Sequence, residues 1–434
     1  MSDHSITNDK WVAARSILQT LLNAGHEAYF VGGYVRDCLL GEPVKDIDIA
    51  TSALPDEVLA LFPHTVATGL QHGTVSIIIA KVAYEVTTFR AESVYEQARR
   101  PKEVRFIRDL RADLERRDFT INAMALDSEE RLIDPFAGQA DLQLRLLRAV
   151  GDANERFAED ALRMLRCLRF AAQYELQIES HTWQALIANR SNLEHISIER
   201  VRMELDKMFE GRHPMRALAL LCESGLFHHF RGLTDWDKLL TAWMQLAPNE
   251  RPFALDPQLL QNAAGRWAHL FFTIAATPEQ TVDICRKLTH SNQKTADIVD
   301  QLRFFHSLAA CATSDNLERI WKTTTVEYSK QTALAVLEWL HNDWQGARLC
   351  PVSEQLVAHG ERWLAQMSVF HTRDLAVNGN DLMKHLQRKN GPWLRALLTS
   401  LLRAAANADV ANEEADLLEL AERLVEAEDG GAQT

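Results

Sequence analysis

Residues 31–51 read VGGYVRDCLLGEPVKDIDIAT. The pattern predicts a strand that ends at a glycine pair, a short helix and then a second strand that carries two aspartates. Paired glycines let backbone amides approach a triphosphate closely, and the helix N-terminus that follows adds a favourable field. Arg36 lies one turn into that helix, within reach of the same phosphates. The stretch therefore indicates a phosphate-binding site in an α/β segment.

Asp46 and Asp48 form a DxD pair, and two residues spaced in this way project from the same face of a strand. Neighbouring carboxylates repel each other unless a cation lies between them, and oxygen ligands suit Mg²⁺, which also binds substrate phosphates. Two such ions can activate a 3′-hydroxyl and stabilise a leaving pyrophosphate. A DxD alone also fits a solvent-facing edge strand. The glycine pair and Arg36 favour the metal site.

Glu85 is the candidate for a third carboxylate at this site. It lies in a β-prone run, YEVTTFR, in which Glu85 and Thr87 alternate with Val86 and Thr88. The alternative is an edge-strand glutamate that faces water, and the sequence alone does not separate the two interpretations.

A second motif, RRDFTINAMA, covers residues 116–125. Arg117 can supply a phosphate contact, whereas Asp118 and Asn122 can hydrogen-bond ribose hydroxyls and so select ribonucleotides. The alternative is a capped, salt-bridged surface helix, and a helix is predicted over 113–126.

A third motif, EDALRMLRCLRF, covers residues 159–170. Asp160 and Arg163 are about one helical turn apart, so they are predicted to lie side by side. An acceptor beside a donor fork is what a protein needs in order to imitate a base-pairing edge. Arg166 and Arg169 continue the row of arginines. The alternative is an ion pair between positions i and i+3 of an exposed helix, which contributes little.

The charge distribution is uneven along the chain. The net charge of −13 argues against a nucleic-acid partner, but residues 404–434 carry nine acids and one base. Residues 99–117 carry eight bases and four acids, a local excess of positive charge. The six cysteines are scattered, which predicts neither a zinc site nor a disulfide framework. Neither a membrane span nor a signal pattern is recognised, so a cytoplasmic location without membrane association is expected.

The first 150 residues are predicted to be mixed α/β, and nearly everything after residue 155 has helical periodicity. Tryptophans at helical spacing in the second half are predicted to be core. The predicted strands are 27–31, 47–50, 75–80, 84–90 and 104–107. The other predicted helices of the first part are 11–24, 34–40, 55–62 and 139–147.

Taken together, the motifs GGxVRD, DxD, RRDFTINAMA and EDALRMLR resemble those of the class II tRNA nucleotidyltransferases, a family that contains CCA-adding enzymes and bacterial poly(A) polymerases. The match runs over residues 25–230. The resemblance implies an α+β fold: a small mixed nucleotidyltransferase head, like a polymerase-β palm, followed by an all-α neck, body and tail. The expected divisions are head 1–153, neck 154–232, body 233–345 and tail 346–434.

The resemblance also implies roles for particular residues. Asp46 and Asp48 would bind Mg²⁺, Asp118 would be associated with ribose selection, and Asp160 with Arg163 would form a protein template for CTP or ATP. The predicted catalytic residues are Asp46, Asp48 and Glu85. The residues predicted to bind nucleotide, from motif chemistry or from the resemblance, are Gly33, Arg36, Arg117, Asp118, Asn122, Asp160, Arg163, Arg166 and Arg169.

Several departures help to choose among the members of that family. Histidine is never followed by aspartate, so an appended HD phosphohydrolase domain is not expected. Residues 67–75 read ATGLQHGTV rather than the basic run of the poly(A) polymerases, and the C-terminus is acidic rather than basic. A segment at 90–101 matches the loop that the family needs to switch from adding C to adding A, which disfavours a CC-only enzyme.

The sequence therefore predicts CCA addition to tRNA from CTP and ATP with Mg²⁺. The alternatives are an A-adding enzyme that works with a separate CC-adding enzyme, a poly(A) polymerase and, in a different class, an inactive RNA-binding relic. The oligomeric state is left open.

Overall fold

The computed structural model describes residues 8–44, 46–92, 95–96, 100–101, 104–246, 262–309, 316–343 and 353–431. The chain divides into two compact units, Met1–Thr234 and Asp235–Thr434. A mixed sheet lies in the first unit, and helices make up the described part of the second. The predicted α+β fold class is confirmed.

The first unit is built on a seven-stranded sheet with the strand order β11-β10-β1-β2-β5-β4-β3. Strands β2 and β5 are parallel, and the other neighbouring strands of this sheet are antiparallel. The strands are β1 Ala28–Val31, β2 Asp48–Thr51, β3 Thr65–Gly69, β4 Thr74–Ile79, β5 Val82–Thr88, β6 Arg90–Glu92, β7 Tyr95–Glu96, β8 Arg100–Pro101, β9 Val104–Phe106, β10 Ala125–Leu126, β11 Leu132–Ile133, β12 Leu146–Leu147 and β13 Gln177–Ile178.

Helices flank the sheet and continue beyond it. In the first unit they are α1 Asn8–Asn23, α2 Gly33–Leu40, α3 Pro55–Leu61, α4 Leu110–Glu115, α5 Gly138–Gln143, α6 Ala153–Glu159, α7 Leu162–Gln173, α8 Ser180–Asn189, α9 Ile198–Phe209 and α10 Pro214–Ser224. Short 3₁₀ turns lie at Leu70–His72, Thr120–Asn122, Arg190–His195 and Leu226–His229.

The glycine pair makes the connection between β1 and α2. Gly32 has a φ of 69°, in the left-handed region that favours glycine. Gly41 ends α2 in the same region, and its backbone N–H closes the last turn of the helix. Below this connection, Val31, Ala50 and Phe89 are buried in one apolar cluster with residues of α4 and β10. This cluster packs α4 against β1, β2 and β10 and so stabilises the part of the sheet that carries the DxD motif.

The five predicted strands are confirmed as β1, β2, β4, β5 and β9, with shifts of one or two residues at their ends. The predicted helix over 113–126 is wrong beyond Glu115. The backbone of residues 118–120 pairs instead with residues 148–150, because the N–H of Val150 donates to the Asp118 carbonyl at 3.1 Å and the N–H of Thr120 to the Arg148 carbonyl at 3.0 Å. Ala125–Leu126 then joins the sheet as β10. The helix predicted over 139–147 likewise ends at Gln143, before β12.

The second unit is helical where it is described. Its helices are α11 Thr234–Gln245, which starts at the last residue of the first unit, α12 Ala263–Thr273, α13 Pro278–Lys287, α14 Asn292–Ala309, α15 Leu317–Tyr328, α16 Lys330–Asp343, α17 Ser353–Gln366, α18 Gly379–His385, α19 Pro392–Ala406 and α20 Glu414–Gly431, with a 3₁₀ turn at Thr372–Asp374.

The core of the second unit is rich in tryptophan. The predicted core role is confirmed for the buried tryptophans Trp236, Trp243, Trp267, Trp321, Trp339 and Trp363. Trp344 lies outside the described residues. In the parts of the chain that the structure describes, none of the helices has both the length and the apolar character that crossing a membrane requires.

Candidate active site

A cleft of about 650 Å³ opens in the first unit between the end of the sheet and helices α7 and α9. Every site residue predicted from the sequence lines it except Glu85. The lining residues are Gly32, Gly33, Arg36, Asp46, Asp48, Arg116, Arg117, Asp118, Asn122, Asp160, Leu162, Arg163, Arg166, Arg169, Phe170, Arg200 and Lys207. The three motifs, at residues 31–51, 116–125 and 159–170, thus meet at one place.

Two carboxylates form the sheet wall of the cleft. Asp48 is the first residue of β2, and Asp46 lies just before the strand. Strand β2 runs between β1 and β5, so the edge-strand alternative for the DxD motif is wrong. Glu85 lies on β5 directly opposite Asp48 in the parallel register, with its side chain exposed. Since β5 lies between β2 and β4, Glu85 is not on an edge strand either.

The charge of Asp48 is held in an unfavourable environment. Burial and the neighbouring charge of Glu85 raise the pKa of Asp48 to about 6, while Arg117 and Arg36 oppose the rise. Within the described part of the chain, neither the Asp46 nor the Asp48 carboxylate makes a hydrogen bond or an ion pair. Negative charge is therefore concentrated at the sheet wall, and none of the described cations binds it directly.

Glycine at position 32 leaves room for a guanidinium group. A Cβ at Gly32 would lie 2.9 Å from Nη1 of Arg117 and 3.9 Å from Oδ2 of Asp48. Arg117 donates through Nη2 to Asp113 at 3.2 Å. Its Nε is buried and has no hydrogen-bond partner among the residues that the structure describes. Arg117 therefore lines the cleft beside the DxD motif, and its guanidinium is held by Asp113 and, through Nη1, by the Asn122 carbonyl at 3.4 Å.

Arg36 is buried at the floor of the cleft. It forms an ion pair with Asp37 and donates through Nη1 to the Asn122 side-chain oxygen at 2.6 Å. Its guanidinium also lies 4.5 Å from the centre of the Tyr174 ring, a cation–π distance. Tyr174 in turn donates to Asp37 at 3.0 Å. These contacts fix the first motif against the end of α7.

Asp118 is the most strongly bound carboxylate of the cleft. It accepts from Arg166 Nε at 2.7 Å, from Asn122 Nδ2 at 3.0 Å and from the backbone N–H of Phe119 at 2.9 Å. Burial alone would raise its pKa, but Arg166, Asn122 and the charge of Arg163 lower it to about 2. Asp118 is 7% exposed, so the alternative of a solvated surface helix is wrong for this motif.

Asp160 and Arg163 are anchored from different directions. Asp160 lies between α6 and α7 with an extended backbone, rather than inside a helix. Its carboxylate accepts from the backbone N–H of Leu162 at 3.1 Å and from Arg200 Nη2 at 2.8 Å. Arg163 is buried and donates to Glu159 Oε2 at 2.7 Å and to the Arg116 carbonyl at 2.9 Å. The alternative of an ion pair on an exposed helix does not describe this geometry.

The second wall of the cleft is formed by α7, by α9 and by Asp118, which is bound to Arg166 of α7; we call it the helical wall. Arg166 and Arg169 both belong to it. Arg169 donates to Glu204 at 2.7 Å, and Lys207 donates to the other oxygen of Glu204 at 3.2 Å. Glu204 is 3% exposed, and although burial opposes it, Arg169, Arg166 and Lys207 lower the pKa of its carboxyl. The Phe170 ring lies beneath both arginines, 5.2 Å from Arg166 and 4.1 Å from Arg169.

Residues 198–205 resemble the last neck motif of the family, but the sequence predicts no contact of theirs in the site. Arg200, Glu204 and Lys207 lie on α9, and the first two contact residues of the third motif. Asp113 and Glu159 anchor arginines of the second and third motifs. Alternating acids and bases in RVRMELDK were the available signal, but an amphipathic surface helix has the same pattern.

The sheet wall suits a divalent metal ion that the protein coordinates only in part, with the remaining ligands supplied by water and the substrate. Within the ranges that the structure describes, no three His, Cys, Asp or Glu side chains are grouped so that they could hold a metal ion. Mg²⁺ is usually held by one or two carboxylates, with water and substrate phosphates at the remaining positions. Asp48, which is half-buried and pairs with none of the described cations, meets that description together with Asp46.

Comparison with known proteins gives three family matches along the chain. Residues 28–148 match the poly A polymerase head domain, residues 175–237 match the probable RNA and SrmB-binding site of polymerase A, and residues 258–421 match the putative tRNA nucleotidyltransferase domain 2. Together these ranges span both units.

Individual relatives match over almost the whole chain. The CCA-adding enzyme of Geobacillus sp. (strain WCH70) is 40% identical over 402 residues, which is 92% of this chain and 94% of the relative. The CCA-adding enzyme of Lactiplantibacillus plantarum is 37% identical over 415 residues, covering 96% of this chain and 97% of the relative. The crystal structure of the Bacillus stearothermophilus CCA-adding enzyme in complex with CTP superposes with a TM-score of 0.83 at 33% identity, covering 98% of this chain and all of that one.

Proposed function

The chain belongs to the family of CCA-adding enzymes, and we propose that it adds the nucleotides C, C and A to the 3′ end of tRNA from CTP and ATP. In this reaction the 3′-hydroxyl of the tRNA attacks the α-phosphate of the nucleotide, the bond between the α- and β-phosphates breaks, and pyrophosphate leaves. The observation that carries the proposal is that a DxD pair and an acceptor–donor pair, Asp160 and Arg163, line the same cleft.

Asp46 and Asp48 are proposed to hold the divalent metal ion, and Mg²⁺ is the ion that suits their oxygen ligands. When bound, the ion supplies positive charge for the phosphates and favours ionisation of the attacking hydroxyl. The raised pKa of Asp48 supports this assignment, because a carboxylate in this environment gains from a cation. Glu85 remains a predicted catalytic residue, supported by its register with Asp48.

The arginines are proposed to bind the triphosphate and the ribose. Arg117 lines the cleft beside Gly32 and the DxD motif, and Arg36 lies in α2 below the glycine pair, where Gly33 leaves its own amide accessible to a phosphate. Asn122 and Asp118 are proposed to distinguish ribose from deoxyribose. Asp118 also holds Arg166 in the cleft, which supports a positioning role for that carboxylate.

Base selection is proposed for Asp160 and Arg163, with Arg166 and Arg169 also at the nucleotide. An ionised carboxylate is an acceptor only, so Asp160 suits the exocyclic amino groups of cytosine and adenine and not the carbonyl oxygens that uracil and guanine carry there. Arg163 donates to the ring acceptors beside those amino groups. This pairing explains why both CTP and ATP, and neither UTP nor GTP, would be substrates.

The division of labour along the chain is proposed as head 1–153, neck 154–232, body 233–345 and tail 346–434, with body and tail holding the tRNA. The match of residues 258–421 to the tRNA nucleotidyltransferase domain supports this part of the proposal. A cytoplasmic location is proposed because tRNA and nucleoside triphosphates are found there. Residues 93–94 and 97–99 of the predicted loop at 90–101 lie outside the described residues.

The direct test is incorporation of labelled nucleotides into a tRNA that lacks its last three residues. With CTP and ATP supplied together, the tRNA should gain three residues, and CTP alone should give two. One A added to a tRNA that already ends in CC, with C never incorporated, would identify an A-adding enzyme instead. Long A tails on unrelated RNA would identify a poly(A) polymerase, and an absence of transfer with every substrate would identify an inactive relic.

A further inference from the structure

Asp160 is expected to read the base, yet its own position depends on a residue outside its motif. Its backbone is extended between α6 and α7, so no helix fixes the direction of its side chain. One carboxylate oxygen is fixed locally by the N–H of Leu162, a contact of the Asx-turn type. The other oxygen is fixed by Arg200, which approaches from α9.

The contact between Arg200 and Asp160 has the properties of a positioning contact. The two side chains are 24% and 23% exposed, so the pair is largely shielded from solvent. A guanidinium group forms short, directional hydrogen bonds to a carboxylate. Both residues line the cleft, and α9 also carries Glu204, which holds Arg169. Helix α9 therefore supports the selecting wall at two points.

We infer that Arg200 is a positioning residue for base selection: by holding the Asp160 carboxylate in place, it sets the preference for CTP and ATP over UTP and GTP. The inference rests on the proposed function. A carboxylate that rotates away no longer offers an acceptor to the amino group of the base, and the discrimination against bases that carry a carbonyl at that position is lost with it.

The test is the ratio of kcat/KM for CTP to that for UTP, measured on a truncated tRNA. In Arg200→Met we expect this ratio to fall at least about tenfold, the size of effect that one charge-assisted hydrogen bond supports. Arg200→Lys should recover a large part of the ratio, because an ammonium group can still contact Asp160. An unchanged ratio in Arg200→Met would overturn the inference, whatever happens to the overall rate.

Arg202 provides a matched control on the same helix. It pairs with Asp206 at 2.9 Å, its side chain is 26% exposed, and it does not line the cleft. Arg202→Met should change stability by about as much as Arg200→Met and leave the nucleotide ratio unchanged. An equal loss of selectivity in both variants would mean that α9 acts through general stability, and the inference would be wrong.

A double variant asks whether Arg200 acts through Asp160. If it does, Asp160→Ala with Arg200→Met should be no less selective than Asp160→Ala alone; additive losses would contradict the inference. If Arg200→Met transfers nucleotides too slowly to assay, the ratio of the dissociation constants for CTP and UTP is measured on the folded variant instead. A ratio equal to that of the wild-type protein would contradict the inference. Failure of the proposed function is distinguishable, because the wild-type protein would then add no C.

Discussion

The two walls of the cleft differ in whether their carboxylates are paired with cationic side chains. On the sheet wall, Asp46 and Asp48 make no direct contact with a cation in the described parts of the chain, and the pKa of Asp48 is raised to about 6. On the helical wall, Asp118 and Glu204 are bound by arginines, and their pKa values are lowered. The carboxylates of the sheet wall are therefore free to bind a cation that comes with the substrate. The carboxylates of the helical wall are already paired with arginines of the protein.

This difference matches the two tasks that the proposed reaction requires. Phosphoryl transfer needs a cation that arrives with the nucleotide, so its ligands cannot already be neutralised by the protein. Selection needs hydrogen-bonding groups that stay in place when different bases enter, so those groups are held by a network. We derive five predictions from this difference, each of which should affect one wall more than the other.

The largest effect is expected for Asp48→Ala. Loss of a metal ligand should lower single-turnover incorporation of CMP by about a thousandfold or more, because several kcal/mol of charge stabilisation disappear. The melting temperature should not fall, since the removed charge is held unfavourably in the folded state. Asp56→Ala, at an exposed position in the first turn of α3, is the matched control and should remain active. Activity of Asp48→Ala near that of the control would contradict the metal assignment.

Asp118→Ala should instead lower stability. Removing the buried carboxylate leaves Arg166 without this partner. Breaking a well-buried pair in this way lowers the free energy of unfolding by about 3–5 kcal/mol. The loss should be smaller here, because the Arg166 side chain is 33% exposed. Urea unfolding measures the loss. Glu129→Ala breaks an ion pair with Arg131 in which the two side chains are 67% and 70% exposed, and it should cost no more than about 1 kcal/mol. Equal costs for the two variants would mean that the helical wall is not a rigid network.

The same carboxylate predicts a direction for acid denaturation. The folded-state pKa of Asp118, about 2, lies below its unfolded value of about 3.9, so its contribution is fully present above the unfolded value and is lost as the pH falls through the folded one. Asp118→Ala should therefore lose less stability than the wild-type protein when the pH is lowered across this window.

Asn122→Ala should weaken selection of the sugar. Asn122 accepts from Arg36 and donates to Asp118, so its loss disturbs both groups that lie near the expected ribose. We expect the ratio of kcat/KM for CTP to that for dCTP to fall about tenfold, which corresponds to one hydrogen bond of about 1.4 kcal/mol. Asn189→Ala, at a hydrogen-bonded asparagine that does not line the cleft, should leave the ratio unchanged.

The smallest effect is a dependence of metal-induced stabilisation on pH. Because the folded-state pKa of Asp48 is raised, the ion-free protein loses stability as the pH rises through about 6, and a bound cation should restore it. Mg²⁺ should therefore raise the melting temperature by more at neutral pH than in acid, and Asp48→Asn should abolish the difference. If Mg²⁺ raised the melting temperature equally at every pH, the proposal that Asp48 binds the metal ion would be wrong.

The sequence predicts the sheet wall of this site better than the helical wall. Residues 31–51 are contiguous and contain their own turn chemistry, so Gly32 and the DxD motif define a local structure that spacing alone describes. Glu85 could be proposed but not separated from an edge glutamate, because the parallel register between β2 and β5 is a long-range property.

The helical wall depends on contacts that spacing cannot reveal. The helix predicted over 113–126 fails because residues 118–120 pair with 148–150, and local propensity does not anticipate a partner so far along the chain. Asp160 was predicted to lie on one helix with Arg163, but it lies before that helix and is held by Arg200. Arg200 and Glu204 lie in a motif that the sequence resembles, but their contacts with the site depend on the packing of α9 against α7, which spacing does not describe.

The most direct test of the division between the walls is to sequence the 3′ ends of truncated tRNA extended with all four nucleotides by Asp160→Ala. We predict that this variant still transfers nucleotides, because the sheet wall is intact. It should, however, add U or G at positions where the wild-type protein adds only C or A. A variant that adds CCA slowly and without errors would show that the helical wall does not select the base, and would contradict the account.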